Sequence, residues 1–510
     1  MSSRRSPSPS SSGLHRIPAT LALIVAAALF AGAACGGGEA SESWYEIRMG
    51  GTKVGYGNET ISVASDGALV TTLDTSMLLE RLGVRVEISS SERWVERMDG
   101  EPVEYVLVRN LGASVTELHL SFDGGDLVLS KSGPGETSTD RRPLPGRILF
   151  PRGVAALHRS RSDTPGGTFS YYTFDADFER VARHAVTTLG PDTVVVLGET
   201  RALTKSEVSS DLYAGAVWHE WRDGDGRLWA EEMPDLGLRR ERTTQGQALA
   251  AEHPLDIISS TMIGVADAPS DPGRVDAATY EVWLEDGDIA AVLPEDGRQS
   301  FLERTGRGVL LRVRRVTPER GAPLPVEEPG SSEHTASNAL MQCTNPVLRE
   351  WAREAVAGSE DDAWAAARRI ERSTCGAVRE KGLGTAFASA LETLESGEGD
   401  CSEHAVLAAA AARAVGIPSK VVSGLVLSGD SFAYHMWFEV WTGDGWYALD
   451  ATAGEGSVDA THIKLSESSL SGGQAGDLSV GILKVMSRIG IEIVDVETEP
   501  LRGSDPAAAH

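Results

Sequence analysis

The run Ala405–Val415 (AVLAAAAARAV) constrains this chain more than any other stretch. As a helix it is apolar on nearly every side, and a helix of that kind has to be buried among other elements of a folded core. Gly416 and Pro418 stop it. It is preceded by Gly397-Glu-Gly-Asp-Cys401, so a cysteine stands at the N-terminal mouth of a buried helix. Three strands are predicted to follow, at Lys420–Leu427, Tyr434–Trp441 and Trp446–Leu449, with Thr442-Gly-Asp-Gly445 turning between the last two.

The polar residues set into this stretch carry the chemistry. A thiol is a nucleophile only as thiolate, and its unperturbed pKa is about 8.5. The unpaired N–H groups and positive dipole end at a helix N-terminus favour the anion. An imidazole nearby can take the proton, and a carboxylate on its other nitrogen orients the ring. His435 opens the second strand and Asp450 closes the third, and the short turn between them predicts that the two strands are neighbours. Cys401, His435 and Asp450 therefore read as nucleophile, base and orienting group.

Two other histidines compete for attention. His404 lies three residues beyond Cys401, on a nearby face of the same helix, where it is badly placed to reach across a substrate. It reads as a packing or supporting residue. His462 falls outside the stretch and reads as structural or surface. A zinc site built from Cys401, His404 and His435 would need a fourth group and closer ligand pairing, so no metal is expected.

Four blocks, Gly399-Asp-Cys401-Ser-Glu-His-Ala405, Arg413-Ala-Val-Gly-Ile-Pro418, His435-Met-Trp437-Phe-Glu-Val440, and Trp446 with Asp450-Ala-Thr452, resemble the transglutaminase-like, papain-type cysteine enzymes of bacteria. They stand in that family's order, and the resemblance covers roughly residues 345–455. It implies an α+β fold, with the cysteine on a helix packed against an antiparallel sheet that bears the histidine and aspartate. It implies catalysis by Cys401, His435 and Asp450 with no metal or organic cofactor. One departure is Ala451, where the family often has proline; it loosens a turn and removes no chemical group.

The expected activity is cysteine-dependent acyl transfer on protein or peptide amides through a thioester. Hydrolysis is favoured over cross-linking, because water is always available and excluding it needs a shaped amine tunnel. The alternative is a membrane-tethered binding or assembly factor that keeps the fold without turnover. A pure scaffold, however, needs none of the three residues.

The rest of the chain reads as address and accessory. Arg4, Arg5 and Arg16 precede the apolar run Leu21–Ala34, which is the right length for a signal segment and short for a membrane span. Cys35 and Gly36–Gly38 follow, a pattern that resembles the lipobox of bacterial lipoproteins and implies acylation of Cys35 and a cell-envelope membrane anchor. The alternative is a cleaved signal and a secreted or periplasmic soluble protein. The formal charge of -27 excludes nucleic acid, which needs a basic surface. A protein or peptide substrate and the membrane are the expected partners. Of the four cysteines, Cys343 and Cys375 remain, and in an exported chain they can pair or stay as two buried thiols.

The organisation follows: a signal over 1–34, a tether over 35–43, and a β-rich accessory domain over 44–265. A small β unit over 274–316, a proline-rich linker over 317–332, the catalytic domain over 333–475 and a C-terminal segment over 476–497 complete it. Within the β-rich part Gly50-Gly51 predicts a hairpin turn, Pro134–Arg147 a polar loop, and the acidic run Asp223–Gly226 a hairpin turn rather than a calcium loop.

Overall fold

The computed structural model describes residues 41–498 apart from 82–83, 111–114, 134–135, 162–163, 214–215, 251–254, 257–260, 329–331, 381–387, 455–457, 471–477, 479–480 and 483. The apolar run Leu21–Ala34, expected as a signal segment, and Cys35 lie outside the described residues.

The first half is one fifteen-stranded sheet, almost wholly antiparallel. It grows in both directions from Ser41–Met49. On one side the Gly50-Gly51 turn, with φ of 54° and 80°, folds the chain into Thr52–Val63, and hairpins continue to Glu136–Pro143. Two consecutive positive φ values are what a two-residue hairpin requires. On the other side Ser41–Met49 pairs with Leu238–Thr243, and hairpins run back to Thr168–Asp175.

Glu136–Pro143 corrects the expected loop over 134–147. It is an edge strand, and its sequence, ETSTDRRP, has no apolar face by which alternation would reveal it. Its charges are used across the pairing, where Arg141 bonds Asp123 at 2.8 Å and Asp126 at 2.7 Å. Charged edge strands of this kind also resist pairing with other chains. A helix over Pro151–Arg161 buries Val154, Ala155 and His158. The Asp223–Gly226 turn rests on it: a Cβ on Gly226 would come 2.1 Å from the Ala155 carbonyl oxygen. Asp223 closes that turn by accepting from the Asp225 and Arg227 N–H groups, both at 2.9 Å.

The second half is α+β. Its helices are Pro346–Val356, Ala363–Ala377, Ala390–Ser396 and Cys401–Ala414. Asp362 caps the second of these, accepting from Trp364 and Ala365 N–H at 3.0 and 3.1 Å. The last helix is buried along residues 401–413, as its all-round apolar surface demands. It packs against the other three helices and against the sheet. The sheet order is Ile263–Gly264, Ser431–Trp441, Ser419–Ser428, His462–Ser468, with Trp446–Leu449 paired to Ser431–Trp441.

The small β unit is not self-contained. Val275–Leu284, Gln299–Arg304 and Val309–Arg314 need Ile489–Thr498 to complete a four-stranded sheet, so the chain's C-terminal strand lies beside Val275–Leu284. The proline-rich stretch is docked rather than free: Ala322, Leu324 and Val326 N–H donate to Thr442, Glu360 and Gly416 carbonyls at 2.7–2.8 Å. Cys343 and Cys375 are not joined to each other. Their sulfurs turn to different carbonyls, Thr335 at 3.7 Å and Thr452 at 3.8 Å.

Candidate active site

Asp400 caps the buried helix and Cys401 is its first residue. The cap is reciprocal: Asp400 Oδ1 accepts from the Ser402 N–H at 2.9 Å, and Glu403 Oε2 accepts from the Asp400 N–H at 2.9 Å. This fixes the first turn, and with it the thiol, which is 2% exposed. The sulfur receives the backbone N–H of Met436, the neighbour of His435 on the adjoining strand.

His435 donates from Nε2 to Asp450 Oδ2 at 2.9 Å. The pairing that allows this is the hairpin Ser431–Trp441 with Trp446–Leu449, after which Asp450 is the first residue. The other ring nitrogen, Nδ1, is buried with no hydrogen-bond partner among the described residues. Asp450 is held at its second oxygen by the Thr452 N–H at 2.9 Å and the Thr452 hydroxyl at 2.7 Å. Ala451 therefore leaves the turn intact: Thr452 fixes the carboxylate through an Asx-type turn that a proline is not needed to make.

Residues 349–451 match the family model of the transglutaminase-like superfamily. The match takes in Cys401, His435 and Asp450. Among solved structures, a candidate cysteine protease from Cytophaga hutchinsonii is similar at 16% identity and a TM-score of 0.28, over 44% of this chain and 87% of its own. A β-barrel-like protein of a domain family of unknown function from Brucella abortus is similar at 14% identity and a TM-score of 0.33, over 40% of this chain and 95% of its own. No curated protein matches the chain.

The transglutaminase-like match ends before His462, yet His462 belongs to the site. It is buried, not a surface residue, and stands between two carboxylates: Nδ1 lies 3.1 Å from Asp459 Oδ1 and Nε2 lies 3.6 Å from Asp450 Oδ2. Burial pulls its pKa down, but Asp459 and Asp450 outweigh burial and hold it at about 9. Burial alone would raise the Asp450 carboxyl; His435 and His462 reverse this and keep it well below the usual carboxylate range. Ligand atoms of His435, Asp450 and His462, one from each, lie within 4.8 Å of one another, so among the described residues these three, rather than Cys401 with His404 and His435, have the spacing of metal ligands. The signal available in the sequence for His462 was Asp459 three residues before it, a pairing that many exposed turns also have.

Trp437 forms the wall under the imidazoles. It is fully buried, stacks with His435 at 6.4 Å between centroids, and meets His462 edge-on at 5.4 Å. It can lie flat there only because residue 424 is glycine: a Cβ on Gly424 would be 2.4 Å from the indole and 2.2 Å from the Ile463 carbonyl oxygen. His404 is a supporting residue; its Nδ1 donates to the Asp400 carbonyl at 2.5 Å, one helical turn back.

The thiol departs from expectation. Burial pushes the Cys401 pKa well up, Asp400 adds to this, and the Met436 N–H opposes it. The helix N-terminus does not deliver a fully free positive end, because the Ser402 and Glu403 N–H groups are already turned onto the Asp400 carboxylate. Glu403 is itself pushed well up, by burial and then by Asp400.

Proposed function

We propose that this protein is a cysteine-dependent acyl-transfer enzyme acting on protein or peptide amides, with hydrolysis as the outcome. The observation that carries the reading is His435: Nε2 is committed to Asp450 at 2.9 Å, while Nδ1 is buried and unpartnered, on the strand whose next N–H reaches the Cys401 sulfur. In this reading His435 Nδ1 takes the Cys401 proton as the sulfur attacks the amide carbonyl. Asp450, ionised, stabilises the imidazolium so formed. The imidazolium then protonates the leaving amine, and the thioester left on Cys401 is resolved by water with His435 again as base. The Cys401 backbone N–H, at the first position of the helix, is the oxyanion donor. The signal run and Cys35 support an exported, lipid-anchored enzyme working on envelope substrates.

One observation favours a second reading, a tethered assembly factor without turnover: the thiol is 2% exposed and its pKa is raised. Iodoacetamide labelling of the whole protein against pH separates the two. On the enzyme reading Cys401 labels at neutral pH, His435→Ala slows labelling at least about tenfold, and incubation with a peptide-amide library yields a Cys401 thioester by mass spectrometry. A labelling rate that follows an ordinary buried thiol and is unchanged in His435→Ala refutes it.

A further inference from the structure

The large sheet of the first half encloses a cavity of about 70 Å³, far from the transglutaminase-like site in sequence and lined entirely by residues 92–233. One water needs roughly 10–15 Å³ on this measure, so the space admits several waters or one small organic head group. Its walls include the aromatic rings of Trp94, Tyr105, Phe174 and Trp218. Four carboxyls also line it, Glu92, Asp175, Asp177 and Glu231, against a single guanidinium, Arg109.

The pairing among these groups is unequal. Arg109 is taken by Asp177 at 2.7 Å. Glu231 is met by Arg240 at 3.2 Å. Glu92 and Asp175 form no ion pair among the described residues. Glu92 accepts only a neutral donor, the Tyr105 hydroxyl at 2.7 Å, and Asp175 accepts the Asp177 and Phe178 N–H groups, both at 3.0 Å, and the Tyr213 hydroxyl. His184, also in the lining and 2% exposed, bonds Thr173 through Nε2 at 2.7 Å and leaves Nδ1 without a partner. Arg109 and Arg240 lie near enough to favour the Glu92 anion but neither pairs with it, and two unpaired carboxyls in a wall that also holds aromatic rings are the combination that recognises a small organic cation.

We propose that this cavity binds the ammonium head group of a small amine, held by Glu92 and Asp175 beside the rings of Trp94, Tyr105 and Trp218. Burial holds both carboxyls up at about 7, so an entering cation ionises them at neutral pH. His184, which burial keeps neutral, offers its free Nδ1 to an ammonium N–H. The β-rich half is then a recognition module for amines, separate from whatever the thiol does.

Trp94 and Trp218 in the wall make the test direct. The whole protein is titrated with n-butylammonium chloride at constant ionic strength while tryptophan fluorescence is read; butan-1-ol and sodium butyrate are the neutral and anionic isosteres. The expected result is a saturable change with butylammonium, about tenfold or more weaker response to both isosteres, and a comparable weakening in Glu92→Gln and in Asp175→Asn. Each variant is tested alone, so one that fails to fold leaves the other. Equal responses to the three isosteres, no saturable response to butylammonium, or unchanged affinity in a folded variant overturns the proposal.

Discussion

His462→Gln isolates the charge that the fold places between Asp450 and Asp459. The imidazole is buried, and its pKa is raised from 6.5 to about 9. A group whose folded pKa lies above its unfolded one stabilises the fold fully below the unfolded value and loses that contribution as pH rises through the folded value. The native state here holds a proton between pH 6.5 and 9 that the unfolded chain has released. A shift of this size corresponds to roughly 3 kcal/mol. The Glu92, Glu96 and Glu231 carboxyls, raised to about 7, also give stability that falls with pH, but over the range up to 7 and equally in both proteins. The wild-type-minus-variant difference removes them. Urea melts of both proteins at pH 6, 7.5, 9 and 10 should show His462→Gln less stable by about 3 kcal/mol at pH 6, with most of that gap closed by pH 10. A gap that stays constant across the range means that His462 is neutral in the fold, and the argument that an imidazolium steadies Asp450 fails.

Three further outcomes follow from the same geometry. Asp400→Asn keeps a capping acceptor but removes the charge that raises the thiol pKa, so iodoacetamide labelling of Cys401 should shift to lower pH while stability changes by under about 1 kcal/mol. Gly424→Ala drives a methyl into the Trp437 ring and the Ile463 carbonyl; it should cost ~1–3 kcal/mol in a urea melt and slow Cys401 labelling, because the wall beneath His435 moves. Removal of Ile489–Thr498 strips the small sheet of an outer strand and should raise hydrogen exchange at residues 458–464, whereas exchange in the Cys401–Ala414 helix interior should stay slow.

The legible parts of this chain were those where one local pattern admits one structure. A helix with alanine on every face has to be central, and residues 401–413 are buried throughout. The Thr442–Gly445 turn made neighbours of the strands that present His435 and Asp450, and their side chains are 2.9 Å apart. Gly50-Gly51 announced its hairpin. What local pattern could not carry was pairing at a distance. Glu136–Pro143 has no alternation because neither of its faces is buried. Ile489–Thr498 pairs with Val275–Leu284 across most of the chain, and no feature of either segment names the other. The thiol pKa failed for a related reason. The positive end of a helix is a property of bare N–H groups, and Asp400 had already taken those of Ser402 and Glu403.

His462 joins these two failures into one point about how the site is held. The strand it opens begins inside a segment that the small sheet grips from outside the transglutaminase-like match. Arg298 donates to the Asp459 carbonyl at 2.9 Å, Tyr280 to Ala460 at 2.9 Å, and Gln299 exchanges hydrogen bonds with Lys464 at 3.0 and 2.9 Å. Lys464 in turn bonds Asp296 at 3.1 Å and both oxygens of Glu439, which is on the His435 strand. A buried lysine so surrounded is costly to leave half-paired, which ties these elements to one arrangement. Asp450 therefore takes its position from two sources: Thr452 and His435 within the matched domain, and His462 through a segment whose placement belongs to residues 275–299. The small sheet is a structural member of the site, although none of its residues hydrogen-bonds His435 among the described residues.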